Sequence, residues 1–369
     1  MTLQTEYTPD ELLASHDYAE PLLAGGRRCH GGFVEDGSYV SPRTKGRVPA
    51  IGAWQQQHGE QFGTELLGVP LDTWPEPYPN VAQSRHLISE GISQPIIATL
   101  TRIGTVEGFG SVIRNSVVPD LQRAFAEEIN GTAMTHLQRG LYEAHARDEA
   151  GHGDEAGHNE MWFAARDIAF ENPVTEDETQ RMLMRMGVTG PSGGQPDFAA
   201  LRAAAMANRV LPDDIDFDLE SLIERMTRLL LIEISAFHLF AWAETLLSDD
   251  ELVAGDGEAA RLVSYIRSDE TPHVEYLRTV LSEMRDRTFV GESGRTYTGA
   301  DMIGRIWDRA LTDSLGTRRT ETMRITLAEV ERAIGDGPGR ADVLERFHEL
   351  GSTRPSGDGQ WVEQLAAVS

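Results

Sequence analysis

The 369-residue sequence contains a single cysteine, Cys29. An intrachain disulfide is therefore impossible, and zinc or iron–sulfur sites built from thiolates are excluded. There is no run of 18 apolar residues, so no membrane span is expected. The opening MTLQTEYTPDELLASH lacks a basic segment followed by an apolar stretch, so no secretory signal is expected either, and the cytoplasm is the expected location. Positive charge is scarce: 33 Lys and Arg face 59 Asp and Glu, a net charge of −26. That field repels phosphate backbones and anionic lipid, which removes nucleic acid and membranes from the expected partners. No G-x-x-x-x-G-K, no G-x-S-x-G, no dinucleotide fingerprint and no solenoid repeat occurs, so nucleotide-binding and serine-hydrolase readings have no support.

The chain has the composition of a globular protein, 40% hydrophobic and 25% charged. Its length exceeds what a single core normally fills, which implies one main core with substantial extensions, or two domains. The spacing of apolar residues predicts an all-α fold. Thr8-Pro9-Asp10-Glu11 is a capping box that starts a short helix. Residues 21–85 show no sustained period and read as an irregular arm anchored by Trp54, Trp74 and Tyr78, so 1–92 is taken as an arm packed on the core. Helices are predicted at about 93–113, after Pro119, and over 141–171, 216–247 and 258–286, making 93–286 the helical bundle. Thr175-Glu176-Asp177-Glu178 starts a further short helix, and 187–197 reads as a loop. Residues 287–369 form a C-terminal extension: a hairpin or loop at 289–298, helices at 299–334 and 340–350, and a loose tail from 351.

The acids and histidines are not scattered. Residues 154–158 are Asp-Glu-Ala-Gly-His and 269–273 are Asp-Glu-Thr-Pro-His. Each holds a Glu-x-x-His, which one helical turn places on one face. Glu270 and His273 interrupt an apolar stripe that includes Leu262, Ile266, Val274 and Leu277, and Glu155 and His158 run on into Trp162 and Ala165. Glu233 interrupts LLLIEISAFHLF, and Glu128 lies beneath Leu121, Ala124 and Phe125. A carboxylate on an apolar face costs several kcal/mol unless it is paired, protonated or metal-bound. Arg228 and Arg123 are available to pair with Glu233 and Glu128, and each acid or histidine taken singly reads as a core group. Jointly, Glu128, Glu155, His158, Glu233, Glu270 and His273 give the order Glu, Glu-x-x-His, Glu, Glu-x-x-His, four carboxylates and two imidazoles suited to two Fe(II) or Mn(II) ions. His136, His145 and His238 read as core histidines, and Cys29-His30 as an inert pair.

With this order the sequence resembles the ferritin-like di-iron carboxylate superfamily over roughly 115–285, which implies a four-helix bundle whose long crossover is 172–215. The two D-E-x-x-H segments resemble those of bacterial multicomponent monooxygenase hydroxylases. That resemblance implies that Asp154 and Asp269 orient ligand histidines from outside the metal sphere. A second, overlapping D-E-x-x-H, Asp148-Glu149-Ala150-Gly151-His152, begins six residues earlier, so Glu149 and His152 are alternative ligands. Six residues turn a helix by about 240°, so both sets cannot face one way; 154–158 is preferred for the apolar stripe that follows it. Pro272 should kink its helix. Ile266 stands where the p-aminobenzoate N-oxygenase branch would place an extra histidine.

The resemblance implies an enzyme that uses two irons, or manganese at one or both positions, with O₂ as co-substrate to oxidise a small organic molecule by hydroxylation, N-oxygenation or desaturation. It implies an electron donor as partner. The large part of the chain outside the bundle favours this over a non-catalytic ferritin-like metal store, and a homodimer over a closed shell.

Overall fold

A computed structural model describes residues 3–68, 74–170 and 198–352. The helix start at 175–178, the loop at 187–197 and the tail beyond 352 lie outside the described residues. The molecule is mostly helical, with twelve α-helices of nine residues or more among the described residues. In chain order the elements are β1 (Glu20–Ala24), β2 (Arg27–Phe33), β3 (Tyr39–Val40), α1 (Thr44–Phe62), α2 (Val81–Ser89), α3 (Gln94–Gly110), α4 (Tyr142–Ala150), α5 (His158–Phe170), α6 (Phe198–Ala207), α7 (Phe217–Leu247), α8 (Glu258–Asp269), α9 (Thr271–Arg285), β4 (Thr288–Val290), β5 (Thr296–Thr298), α10 (Gly299–Thr312), α11 (Arg319–Ile334) and α12 (Arg340–Ser352). The capping box is present: Thr8 and Glu11 cap the single turn Pro9–Leu12 reciprocally.

The arm is not irregular. It holds an antiparallel sheet in the order β1-β2-β3 and the 19-residue α1. The expectation failed because β2 is buried at consecutive positions and so shows no alternation. Trp54 is fully buried and donates to the Thr5 carbonyl, and Trp74 donates to Ser235 Oγ on α7. The helix expected after Pro119 is a single turn, Leu121–Ala124, followed by extended chain at Phe125.

α7 is the spine. Asp216 caps it by accepting from Leu219 N, Asp218 and Glu220 favour its first turn, and its 31 residues run about 46 Å. α7 packs on α8, α9 and α10, while α3 packs on α5 and α4. By length and composition alone Gln94–Asn115 and Phe217–Leu247 could cross a membrane, but half of each apolar window is buried inside the molecule. Both candidate long helices with motifs are interrupted. The predicted 258–286 helix divides at Glu270, because Pro272 cannot donate to the ladder; His273 N and Val274 N both bond the Glu270 carbonyl instead. The predicted 141–171 helix divides between Ala150 and His158. Gly151 ends α4 at φ 77°, and the His152 and Glu155 backbones pair reciprocally to close a tight turn. Ala156 N then bonds the Arg28 carbonyl of β2.

Two apolar clusters fill the interior. One joins α1, α4, α9, α10 and the first half of α7; the other joins β1, β2, α3, α5, α8 and the second half of α7. A third, smaller cluster docks α11 and α12 on α2, where Gln83 Nε2 donates to the Phe347 carbonyl. The first two meet along a seam. On α7 the change falls between Ile234 and Ala236, beside Glu233, and on α8–α9 between Ile266 and Val274, around Glu270. The segment 288–298 is a hairpin whose Phe289 is buried edge-on against Phe125.

Candidate metal centre

The seam is polar. Glu107, Glu149, His158 and Glu270 each bring one ligand atom within 4.8 Å of the others, and so do His145, Glu149, Glu233 and His273. All seven residues are buried, and Glu149 belongs to both groups. The chain builds the centre in two similar halves. α3 gives Glu107, the end of α4 gives Asp148 and Glu149, and the first residue of α5 is His158. α7 gives Glu233, the break after α8 gives Asp269 and Glu270, and the first turn of α9 gives His273.

The histidines present Nδ1 inward. His273 Nδ1 lies 2.6 Å from Glu270 Oε2 and 3.2 Å from Glu149 Oε1. His158 Nδ1 lies 2.8 Å from Glu270 Oε1 and 3.7 Å from both Glu149 and Glu107. Glu270 thus spans the two rings. Each Nε2 faces the aspartate of the opposite half: His273 Nε2 is hydrogen-bonded with Asp148 Oδ2 at 2.9 Å, and His158 Nε2 lies 3.4 Å from Asp269 Oδ2. His145 stacks on His273 with centroids 3.9 Å apart; its Nε2 is 3.6 Å from Glu233, and its Nδ1 is 3.3 Å from the Tyr276 hydroxyl.

Charge in this centre is unbalanced. Burial and the Glu149 charge push the Glu107 carboxyl well up; burial and Glu270 do the same to Glu233. Burial also opposes ionisation of Glu270, but the two imidazoles outweigh it and hold the group low; Glu149 is lowered in the same way despite the Glu270 charge. Burial alone would lower His158 and His273, yet the Glu270 carboxylate and the flanking acids raise both well above the ordinary imidazole range. His145, buried beside His273, falls to about 3. Divalent ions bound here would balance the carboxylates, and their binding would release protons.

The residues fit such ions. His145 Nε2, Glu149 Oε1, both ring nitrogens of His158 and Glu270 Oε1 are buried and make no hydrogen bond among the described residues. His158 Nδ1 and Glu270 Oε1 are within 2.8 Å, yet neither is aligned for a hydrogen bond with the other. Buried polar atoms left in this way cost about 1–3 kcal/mol each, and a cation among them removes the cost.

Of the residues singled out in the sequence, the structure brings together His158, Glu233, Glu270 and His273, with Asp269 behind His158 and the alternative Glu149 in the middle. It places others elsewhere. Glu128 is exposed and its Oε1 accepts from Ile129 N and Asn130 N, because the chain leaves the helix at Phe125 and the expected inward face does not exist. Glu107 stands in the centre instead. Glu155 is at the edge, paired with Arg28 at 3.2 Å and His30 at 2.8 Å, and Asp154 and His152 are exposed in the turn. Asp148 takes the outer position expected of Asp154. Neither arginine serves the acids: Arg228 binds Asp313 and Arg123 lies near Asp120. The two overlapping motifs each contribute half. Glu149 comes from the first and His158 from the second, because the turn of 151–157 interrupts the helix between them. Gly157 makes this possible, since a Cβ there would lie 2.2 Å from Gly151 N.

Glu107 and His145 were missed. Glu107 is the lone acid of an apolar helix and is flanked by Gly104, Gly108 and Gly110. These glycines are the signal: added Cβ atoms would meet Phe163 Cε1 at 2.8 Å, Asn159 at 3.4 Å and Glu149 Cγ at 2.6 Å. α3 can approach α5 and α4 only without those side chains. His145 lies one turn before Glu149, the position in the other half that Ile266 occupies before Glu270. No family model, curated protein or solved structure matches the chain.

Proposed function

We propose that the protein is an O₂-dependent dimetal oxidoreductase with a ferritin-like bundle formed by α3, α4–α5, α7 and α8–α9, acting on a small organic substrate. The observation that carries this reading is the doubled set of buried donors, each half a glutamate, an Asp-Glu pair and a histidine, with unpartnered atoms converging between them. Glu107, Glu149, His158, Glu233, Glu270, His273 and His145 would hold the ions. Four carboxylates balance two divalent cations, and mixed oxygen and nitrogen donors suit Fe(II) or Mn(II).

When bound, such a pair supplies two-electron exchange with O₂. The chain's own residues do the rest. Asp148 pairs with Nε2 of His273 in a hydrogen bond, which would fix that ring's tautomer and leave its Nδ1 free to ligate, and Asp269 Oδ2 faces Nε2 of His158 at 3.4 Å. Trp162, one turn after His158, packs at a tilt against Phe240, and Ile266 lies one turn before Glu270; all three are fully buried and exclude water. The apolar surroundings suit an organic substrate, and an external electron donor completes the reading.

Anaerobic titration of the apoprotein with Fe(II), followed by O₂, tests it. Saturation at two ions per chain with transient visible absorption is expected. Uptake of tens of irons per chain would mark a store instead, and no bound metal would remove the reading altogether.

A further inference from the structure

The outer partners of the two halves differ. Behind His273, Asp148 is gripped by two guanidiniums: Arg43 Nε donates to Oδ1 at 2.8 Å, and Arg47 Nη2 lies 2.8 Å from Oδ2. Behind His158, Asp269 has no arginine or lysine partner among the described residues and accepts from the Tyr39 hydroxyl at 2.9 Å. The outer layer thus carries a net positive charge on the His273 side and a net negative charge on the His158 side. Inner donors point the same way. The group around His273 has two imidazoles and two carboxylates; the group around His158 has one imidazole and three carboxylates.

Arg47 is the telling residue. Its side chain is wholly buried, and its Nε and Nη1 have no hydrogen-bond partner among the described residues. A guanidinium so placed is a poor stabilising device, because desolvation is not repaid by full hydrogen bonding. It does, however, place a fixed cation behind one half of the centre. Arg43 is held beside it by His30 Nδ1 at 3.1 Å. All three outer donors, Tyr39, Arg43 and Arg47, come from the β3–α1 stretch of the arm rather than from the helices that bear the donors.

We infer that Arg43 and Arg47, opposed by Tyr39, are positioning residues that make the two metal positions unequal, so that the position at Glu107, Glu149, His158 and Glu270 binds a divalent ion more tightly than the position at His145, Glu149, Glu233 and His273. This rests on the dimetal reading above. It gives the arm a function that packing alone does not: it sets which ion is retained and which half more readily accommodates the higher charge. Field strength at each position follows from the number of carboxylates and from the sign of the charge behind the histidine.

Anaerobic titration of the full-length apoprotein with Mn(II), reading free Mn(II) by electron paramagnetic resonance, separates the possibilities. The wild type should bind two ions in two resolved steps. Arg47→Met removes the cation at similar length, and the weaker step should tighten by about tenfold while the tighter step stays in place. Arg47→Lys should restore the wild-type separation. A merely structural role predicts the opposite sign, because damage to the outer shell weakens binding, by about 10–100-fold. Should Arg47→Met fail to fold, Arg43→Gln carries the same expectation. Two ions bound in a single unresolved step, or weakened binding in both variants, overturns the inference while leaving the dimetal reading intact. No Mn(II) bound by the wild type overturns both.

Discussion

Asp269 illustrates how one atom's partner decides a role. It faces His158 Nε2 at 3.4 Å on one side and accepts from the Tyr39 hydroxyl on the other, and it is buried. Asp269→Ala should therefore weaken metal binding by about 10–100-fold without abolishing it, as measured by equilibrium dialysis. The overlapping motifs give a sharper test. His158→Ala should empty a metal position, whereas His152→Ala, in an exposed turn, should leave metal content unchanged; metal loss only in the His152 variant would put the centre in the other register. A third residue acts on stability alone. Glu283 is buried and accepts from Ala133 N and Met134 N at the start of the segment that leads into α4. Burial raises its carboxyl to about 7. The folded state then keeps a proton that the unfolded chain releases near the ordinary carboxyl value. This contribution to stability is fully present below that ordinary value and is lost as pH rises toward 7, by about 3 kcal/mol in all. Urea unfolding of metal-free wild type and Glu283→Gln at pH 5 and pH 8 should show the wild type losing that advantage at pH 8; parallel curves would remove the assignment. Of these residues, His158, Glu233, Glu270 and His273 were legible in the sequence because each interrupts an apolar stripe. Asp148 and Glu149 were legible only as alternatives, since a spacing cannot show that a helix stops at Gly151.

At the scale of elements, the breaks matter more than the helices. The long helices at 216–247 and 258–286 were legible from apolar period, and the break at Pro272 from its missing N–H. The break at 151–157 was legible as a distortion from its three glycines, poor helix residues, but its form was not: Gly151 and Gly153 adopt positive φ, and Gly157 sits against the Gly151 backbone. The strands of the arm escaped notice because β2 runs Cys-His-Gly-Gly through the interior, a sequence with neither alternation nor strand propensity. Glu107 was passed over because Glu128 lies beneath Leu121, Ala124 and Phe125 and completes the expected order, while the glycine spacing of α3 reads as helix-breaking until its neighbours are known. That spacing supports a prediction. Gly110→Ala places a Cβ 2.6 Å from Glu149 Cγ, at the end of α3 where alanine is otherwise a good helix residue. Metal content should fall while far-ultraviolet circular dichroism stays near wild type. Gly52 on α1 has no atom within 4 Å of its added Cβ, so Gly52→Ala is the matched control and should keep full metal. Equal metal in both variants would show that Glu149 is free to move and that α3 does not hold it.

The whole molecule carries a net charge of −26, and the seam concentrates four carboxylates between two apolar clusters. Without cations, four carboxylates buried together carry a desolvation cost. α4 and α5, α8 and α9, and both halves of α7 all end or pass there, so whatever neutralises the seam joins the two clusters. Metal binding should accordingly act on the stability of the entire fold. An ion that binds only the folded chain stabilises it by about 2.7 kcal/mol at a free concentration of 100 times its dissociation constant. For a chain of this length that corresponds to a rise in Tm of about 3 °C. Chelated protein titrated with Mn(II) and followed by calorimetry should show this rise with one transition retained, because both clusters are fastened at once. Mg(II) at equal concentration is the decisive comparison. It screens surface charge as Mn(II) does, but it favours six oxygen ligands and dehydrates reluctantly, and imidazoles serve it poorly. Stabilisation by Mn(II) and not by Mg(II) locates the effect at the histidine-bearing seam. Equal stabilisation by both ions would mean that the surface, with its excess of acids, is what responds, and the seam would then be a buried network of protons and carboxylates that needs no metal to hold the clusters together.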